Sequence, residues 1–193
     1  ARAGVRVRFL YDALGSMRLT NQFLDEMRAV GIQVAPFLPG RSWRERWSIN
    51  LRNHRKIILI DGTIGFTGGM NVGDEYLGRD PHFGYWRDTH LRLTGPAVLQ
   101  LQEVFVTDWY SATGEEMQLD AHFPSPSETG KLTAQVIAGG PDRDESVFHA
   151  VMFSAIAGAE REVTLATSYF VPTPALGMAL QAAALRGVRT RVL

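Results

Sequence analysis

The sequence predicts an α/β fold, in which helices cover both faces of a mixed β-sheet, and two observations lead to that prediction. Short apolar runs alternate with amphipathic segments along the 193-residue chain. Glycine and proline punctuate the junctions between these segments, where helices and strands commonly end. Alternation of this kind favours a layered arrangement of helices on a sheet.

The first part of the chain contains most of the predicted strands. A continuous aliphatic run at 57–60 predicts a buried strand, and Asp61 and Gly62 predict a hairpin turn after it. The helix that begins near Pro96 is expected to run to about Tyr110. The other predicted elements are strands at 5–10, 32–37, 63–67 and 89–93 and a helix at 18–30.

The second part of the chain begins with a polar stretch. Residues 111–130 are rich in proline, serine and glycine, which predicts a long surface loop. Strands are predicted at 132–138, 162–168 and 188–193, and helices at 146–159 and 174–185.

The composition excludes several classes of protein. Apolar residues make up 45% and charged residues 21% of the chain, as in ordinary globular domains and unlike disordered, collagenous or coiled-coil chains. Cysteine is absent, which excludes disulfides, thiolate catalysis and cysteine-bound metals. Twenty basic residues balance twenty acidic ones, so net charge does not draw the chain to nucleic acid or anionic lipid. No apolar run reaches the roughly 18–20 residues of a membrane span.

Two distant segments of the chain resemble each other. Residues 1–10, ARAGVRVRFL, and 184–193, ALRGVRTRVL, share six of ten positions at an offset of 183. This similarity predicts an internal duplication, with a first repeat at 1–138, truncated at its N-terminus, and the start of a second at 139–193. The alternative is coincidence between two common helix–glycine–strand junctions.

The densest group of reactive residues lies between 53 and 71. His54 and Lys56 are two residues apart and would share one face of a strand. Together they suit a phosphate, because the ammonium attracts the anion while the imidazole attacks or protonates it. Gly68 and Gly69 allow close backbone approach to a ligand, and Asn71 adds an amide donor. The alternative is a purely structural strand end with a glycine hairpin.

The spacing of these residues resembles the HKD motif of the phospholipase D superfamily. His54 and Lys56 are followed after four residues by Asp61, and after six more by Gly68, Gly69 and, one residue later, Asn71. Leu51, Gly139 and Ser168 stand where the similar bacterial cardiolipin synthases carry Arg, Ser and Pro. Segments similar to that branch are YDALGS at 11–16, LRNHRK at 51–56, WRDTH at 86–90, GPAV at 95–98, GGPD at 139–142 and SYFVP at 168–172.

The resemblance implies a phospholipase D-like α/β/α sandwich with two HKD motifs in pseudo-symmetric halves, of which this chain carries the first. It implies that His54 forms a phosphohistidine and that the other half's histidine protonates the leaving alcohol. Lys56, Gly68, Gly69 and Asn71 would bind the phosphate. Asp61 belongs to the motif's catalytic set but is interpreted as fixing the loop. Asp88 would orient His54, or else pair with Arg87 or Arg92 at the surface.

The resemblance also implies a reaction and its partners. A phosphatidyl group would pass from one phosphatidylglycerol to another at an anionic membrane surface, with glycerol released and without metal or cofactor. The parent protein would be membrane-associated, at the bacterial inner membrane or its cytoplasmic face, and the fragment itself soluble. From the residues themselves, the basic cluster Arg41, Arg44 and Arg46 is expected either to meet anionic lipid head groups or to form a solvated loop. The aromatic residues Trp43, Trp47, Tyr85 and Trp86 are expected either to line a lipid-facing entrance or to belong to the core.

Two alternatives belong to other functional classes. One is a phospholipase D-like phosphodiesterase or nuclease, assembled as a homodimer that pairs two HKD motifs. The balanced charge disfavours nucleic acid as its partner, because phosphate binding usually leaves a basic stripe. The other is a non-catalytic lipid-binding module. With one motif, the fragment is expected to be inactive unless two copies pair.

Overall fold

The computed structural model describes residues 1–37, 53–79, 81–82, 84–117, 122–125, 130–139, 146–167 and 169–193. The basic cluster Arg41, Arg44 and Arg46, with Trp43 and Trp47, lies outside the described residues. The chain divides into two compact units, Ala1–Ala138 and Gly139–Leu193. Their identification with two repeats stays a prediction.

The first unit opens with a strand–helix–strand motif. Strands β1 (Val7–Asp12) and β2 (Ile32–Phe37) are parallel neighbours, joined by helix α1 (Asn21–Ala29). Helix α1 begins where the Thr20 hydroxyl accepts a hydrogen bond from the Phe23 N–H. It is followed by Gly31, whose φ of 86° suits glycine. The three predicted elements are confirmed: β2 has the predicted bounds, and the ends of β1 and α1 are shifted by one to three residues.

Three antiparallel strands follow in the order β3 (Ile57–Ile60), β4 (Ile64–Gly68) and β5 (His90–Thr94). Asp61 and Gly62 both have positive φ, 52° and 64°, in the turn between β3 and β4, as a tight hairpin requires. A short 3₁₀-helix at Asp74–Leu77, which the sequence did not predict, precedes β5.

Helix α2 (Ala97–Thr113) covers one face of this three-stranded sheet. A Cβ at Gly65 would lie 3.0 Å from Leu101 Cδ1, so the helix sits directly on β4. Leu59 pairs with Gly65 and shares that face, whereas Ile58 and Ile60 alternate to the other face and are 55% and 43% exposed. The prediction of a buried β3 is therefore wrong, because the described residues cover only one face of the strand.

A polar contact joins β1 to the end of α2. The Arg8 guanidinium and the Trp109 indole N–H each donate to the Glu115 carboxylate at 2.9 Å. Trp109 is 2% exposed and packs with Ala35 and Met117. The hydrogen bond from Trp109 and then that from Arg8 lower the pKa of Glu115, because both stabilise its ionised form.

The second unit contains another parallel strand pair. Its elements are α3 (Ser146–Ala157), β6 (Glu162–Leu165), α4 (Pro174–Leu185) and β7 (Arg189–Val192), with β6 and β7 paired. Its core is a cluster of buried aliphatic side chains. The residues of that core are Ile156, Ala179, Leu180, Ala183 and Val188. The predicted helix–strand–helix–strand order is confirmed.

The strand predicted at 132–138 is wrong. Its residues form no strand in the structure, and Leu132 is 96% exposed. The Val136 N–H donates instead to Gln100 Oε1 at 2.7 Å, so a side chain of α2 replaces a ladder partner. The predicted loop at 111–130 begins too early, since α2 continues to Thr113 and ends before Gly114, whose φ is 73°.

None of the described helices combines the length and the apolarity needed to cross a membrane. No three His, Cys, Asp or Glu side chains among the described residues are grouped so that they could hold a metal ion.

Candidate active site

His54 and Lys56 lie together immediately before β3. The His54 side chain is exposed, and the Lys56 ammonium Nζ donates to the His54 carbonyl oxygen at 2.7 Å. The cation is thereby folded back over the backbone that carries the imidazole. The segment therefore carries a positive charge against the backbone of an exposed histidine, and a positive charge attracts an oxyanion.

A network of polar side chains holds the residues on either side of His54. The Asn53 backbone N–H donates to Asp12 Oδ2 at 2.8 Å, and Asn53 Nδ2 donates to Asp108 Oδ2 at 3.0 Å. Arg55 Nη1 lies 2.5 Å from Asp108 Oδ1, and the Arg55 backbone N–H donates to Asn53 Oδ1 at 3.0 Å. We call Asp12, Asn53, Arg55 and Asp108 the clamp.

The clamp was missed from the sequence. Asp12 and Asn53 stand inside segments that resemble the family, but no role was assigned to either residue. Asp108 had one usable signal, since it is a carboxylate close to the apolar residues Phe105, Val106 and Trp109 near the end of an amphipathic helix. It is 6% exposed, and a buried carboxylate usually has a specific partner.

The two glycines bring Asp88 to the end of β4. A Cβ at Gly69 would overlap the Asp88 carboxylate, and one at Gly68, whose φ is 156°, would overlap the Thr89 carbonyl. The Gly69 N–H donates to that carbonyl at 3.0 Å. Asp88 Oδ1 accepts a hydrogen bond of 2.6 Å from the Thr89 N–H. Among the described residues, the structure contains no hydrogen bond between Asp88 and the His54 ring.

The register of the sheet brings the segment of His54 and Lys56 to the same end of the sheet as the double glycine and Asp88. Ile57 pairs with Thr67, which places Lys56 beside Gly68, and Gly68 pairs with His90. The His90 Nδ1 atom is buried and has no hydrogen-bond partner among the described residues. His54, Lys56, Gly68, Gly69 and Asp88 therefore lie at the same end of the three-stranded sheet.

The two remaining motif residues, Asn71 and Asp61, have other surroundings. Asn71 Nδ2 donates to the Tyr76 hydroxyl at 2.9 Å, in the exposed segment after β4. Asp61 lies in the β3–β4 turn, at the other end of β3 from Lys56, roughly 15 Å away at about 3.3 Å per residue. That position fits a loop-fixing residue better than a residue in contact with a phosphate at Lys56.

Tyr85 and Trp86 are the described members of the predicted lipid-facing entrance. Tyr85 is 89% exposed, whereas Trp86 is 40% exposed and packs edge-on against Tyr76 at 5.8 Å.

Comparison with known proteins extends the resemblance over the whole chain. No protein-family model matches it. The chain is 49% identical over its full length to a cardiolipin synthase of Geobacillus kaustophilus and 44% identical to cardiolipin synthase 2 of Bacillus anthracis. It is 45% identical to the probable cardiolipin synthase YwiE of Bacillus subtilis. The chain spans 38–39% of the length of these relatives.

The aligned region extends well beyond the motif residues, since it covers the whole chain and therefore every element described above. The resemblance that the motifs predicted is confirmed: the chain is similar along its entire length to part of the bacterial cardiolipin synthases.

Proposed function

We propose that this chain carries one HKD half-site of a phosphatidyltransferase of the cardiolipin synthase type. The observation that carries the proposal is the placement of the Lys56 ammonium 2.7 Å from the His54 carbonyl, at the sheet end that also holds the double glycine. The 49% and 45% identity over the whole chain to proteins named cardiolipin synthase and probable cardiolipin synthase supports a phospholipid substrate.

In this reaction a ring nitrogen of His54 attacks the phosphorus of one phosphatidylglycerol. The bond from phosphorus to the glycerol oxygen breaks, and the leaving glycerol takes a proton from a second histidine. The hydroxyl of another phosphatidylglycerol then attacks the phosphohistidine, returns that proton to the second histidine and frees His54. The products are cardiolipin and glycerol.

The residues around His54 have distinct proposed roles. Lys56 stabilises the equatorial phosphate oxygens in both steps, and Asn71 supplies a further donor. Gly69 lets Asp88 lie against the backbone at the sheet end, from where Asp88 orients the imidazole. Aliphatic and aromatic surface near the site, including exposed Tyr85, faces the lipid of an anionic membrane.

The second histidine comes from a second HKD half-site. We propose that it is supplied by another half of a longer protein or by a second copy of this chain, related by two-fold symmetry. The parent enzyme acts on the inner membrane or its cytoplasmic face, where phosphatidylglycerol is presented.

A chimera tests the proposal. The segment of the Geobacillus kaustophilus cardiolipin synthase that matches this chain is replaced by the 193 residues, and cardiolipin and glycerol are measured on phosphatidylglycerol vesicles. We expect both products from the chimera and from its His82→Gln variant, and neither from His54→Gln. A folded chimera that forms no cardiolipin would contradict the proposal, and cleavage of a DNA diester instead would favour the nuclease.

A further inference from the structure

We propose that buried Asp108 of α2 is a positioning residue for His54, and that Asp12 at the end of β1 is its counterpart. Asp12 bonds the backbone before the imidazole, and Asp108 bonds the side chains of the residues on both sides of it. This inference rests on the proposed function only for the identity of His54 as the reacting group. The clamp itself is a property of the described contacts.

The backbone at His54 needs support that the sheet does not give. Residues 53–56 precede β3, which begins at Ile57 and is four residues long. A segment outside the ladder loses the regular hydrogen bonds that hold a strand. A nucleophile carried by such a segment would move by ångströms, and a misplacement of about 1 Å can cost roughly 100-fold in rate.

The clamp supplies that support from two separate elements. Asp12 holds the Asn53 N–H at 2.8 Å, and Asp108 holds the Asn53 side chain at 3.0 Å. The Asn53 side-chain oxygen in turn accepts from the Arg55 N–H at 3.0 Å, across His54. The His54 backbone is therefore bracketed by a closed set of bonds, while its imidazole stays exposed.

Burial makes the clamp stiff. The Asp108 and Arg55 side chains are 9% and 19% exposed, and the four clamp residues border a cavity of about 60 Å³ with Leu10 and Phe105. In such a low-dielectric site each hydrogen bond is stronger, and a missing partner is costly. Movement of Asn53 away from Asp108 would leave a buried acceptor short of a donor, so the arrangement resists displacement.

A brace that only stabilised the fold would not need these polar groups. A buried ion pair can often be replaced by apolar side chains of similar volume without loss of stability. The double variant Arg55→Met/Asp108→Leu would keep α2 packed near β3 but could not accept the Asn53 amide. The free energy of unfolding of this double variant should therefore stay close to that of the unaltered chain, while its catalytic rate should fall.

Amide hydrogen exchange on the 193-residue chain tests the clamp without reference to activity. Asp108→Asn keeps the side-chain volume but cannot accept from Asn53 and Arg55 as a carboxylate does. We expect the Arg55 amide to exchange about tenfold faster in this variant, and the Asn53 amide to do so in Asp12→Asn. The Gly69 amide, bonded to Thr89 in the sheet, should be unchanged. Glu103→Gln, an exposed site on α2, is the matched control.

Kinetics in the chimeric synthase test the positioning role. We expect Asp108→Asn and the double variant to lower kcat 10- to 100-fold with KM changed less than about threefold, and Glu103→Gln to change neither. Unchanged exchange at Arg55, or raised exchange with kcat equal to that of the control, would overturn the inference. Raised exchange in a chimera that makes no cardiolipin would count against the proposed function and leave the clamp standing.

Discussion

The segments before and after the motif strands are held in different ways. The segment before β3 has its backbone and side chains bonded to two carboxylates from two other elements, one of them 6% exposed. The segment after β4 has one described side-chain bond, from Asn71 to Tyr76, and its neighbour Val72 is 97% exposed. The imidazole is thus carried by a braced segment and the amide by a lightly held one.

This difference indicates how the half-site is organised. A group that forms a bond to phosphorus needs a fixed position, and buried polar contacts give it one. A group that only closes on the bound oxyanion can approach from a looser segment. Substitutions in the segment before β3 should therefore have larger effects than substitutions in the segment after β4, and the largest effect is expected at Lys56.

Removal of the Lys56 ammonium should have the largest effect. Lys56→Met keeps most of the side-chain length but removes the charge that meets the phosphate oxygens. We expect kcat for cardiolipin formation by the chimera to fall roughly 10²- to 10³-fold, the usual cost of losing one group that stabilises developing charge. Lys131→Met is the control, since Lys131 is the other lysine of the chain and is exposed. Equal rates in the two variants would contradict the role of Lys56 in stabilising the phosphate oxygens.

A side chain at Gly69 should disturb the sheet end itself. The added Cβ of Gly69→Ala would overlap the Asp88 carboxylate, which must then shift. We expect a loss of about 0.5–1.5 kcal/mol in the free energy of unfolding, the usual contribution of a hydrogen bond such as the Thr89 N–H to Asp88 bond that the shift would break, together with loss of activity. Gly130→Ala has open space around its Cβ and should change neither. Denaturant unfolding of both variants decides the matter, and equal stability would contradict the described packing.

Acid should weaken the contact that joins β1 to α2 near the clamp. The Trp109 and Arg8 hydrogen bonds lower the pKa of Glu115 below its usual 4.5, so this carboxylate stabilises the folded chain above pH 4.5. That contribution is lost as pH falls from 4.5 through the lowered pKa. The difference in free energy of unfolding between the chain and Glu115→Gln should therefore shrink between about pH 6 and pH 3. A difference that stays constant would contradict this prediction.

His122 adds acid sensitivity at a higher pH. Burial, followed by the charges of Arg8 and Arg6, lowers the pKa of His122 below its usual 6.5. The folded chain therefore favours the neutral ring and loses stability as pH falls below 6.5. His122→Gln should remove this part of the pH dependence in the same unfolding series, and an unaltered slope between pH 6.5 and 4.5 would argue against it.

Loss of the Tyr76 hydroxyl should have the smallest effect. Tyr76→Phe removes the acceptor of the Asn71 amide, and an exposed hydrogen bond contributes about 0.5–1 kcal/mol at most. We expect kcat/KM of the chimera to change less than about threefold in either direction. A loss comparable to that of Asp108→Asn would show that the amide segment is as tightly held as the histidine segment.

The two similar segments of the sequence also share a local geometry. Gly4 and Gly187 have φ of 82° and 87°, and their N–H groups donate to the carbonyls of Ala1 and Ala184, each at 2.9 Å. Both residues precede an arginine-alternating strand, β1 or β7. This shared backbone geometry supports the proposed duplication more directly than the six identical residues do.

Local signals were enough to predict much of the fold. Gly31 and Pro174 marked helix ends by backbone preference, and the hairpin at Asp61 and Gly62 followed from turn chemistry. The spacing of His54 and Lys56 identified the candidate site because that motif is local in sequence.

The larger errors concern contacts between distant residues. The alternation at 132–138 could not reveal that Val136 bonds to Gln100 instead of a strand. The aliphatic run of β3 did not reveal that α2 covers only the face of Leu59. Asp108 lies 53 and 55 residues from its partners, so its role depends on the folded arrangement of α2 and β3.

In the proposed reaction His54 is the nucleophile, and one of its ring nitrogens forms a bond to phosphorus. The chimeric synthase is quenched during turnover on phosphatidylglycerol vesicles, and its peptides are examined by mass spectrometry for a phosphatidyl adduct. The account predicts an adduct on His54 that disappears from the His54→Gln variant and persists in Lys131→Met. Turnover with the adduct on another residue of this chain, or an adduct that survives His54→Gln, would contradict it.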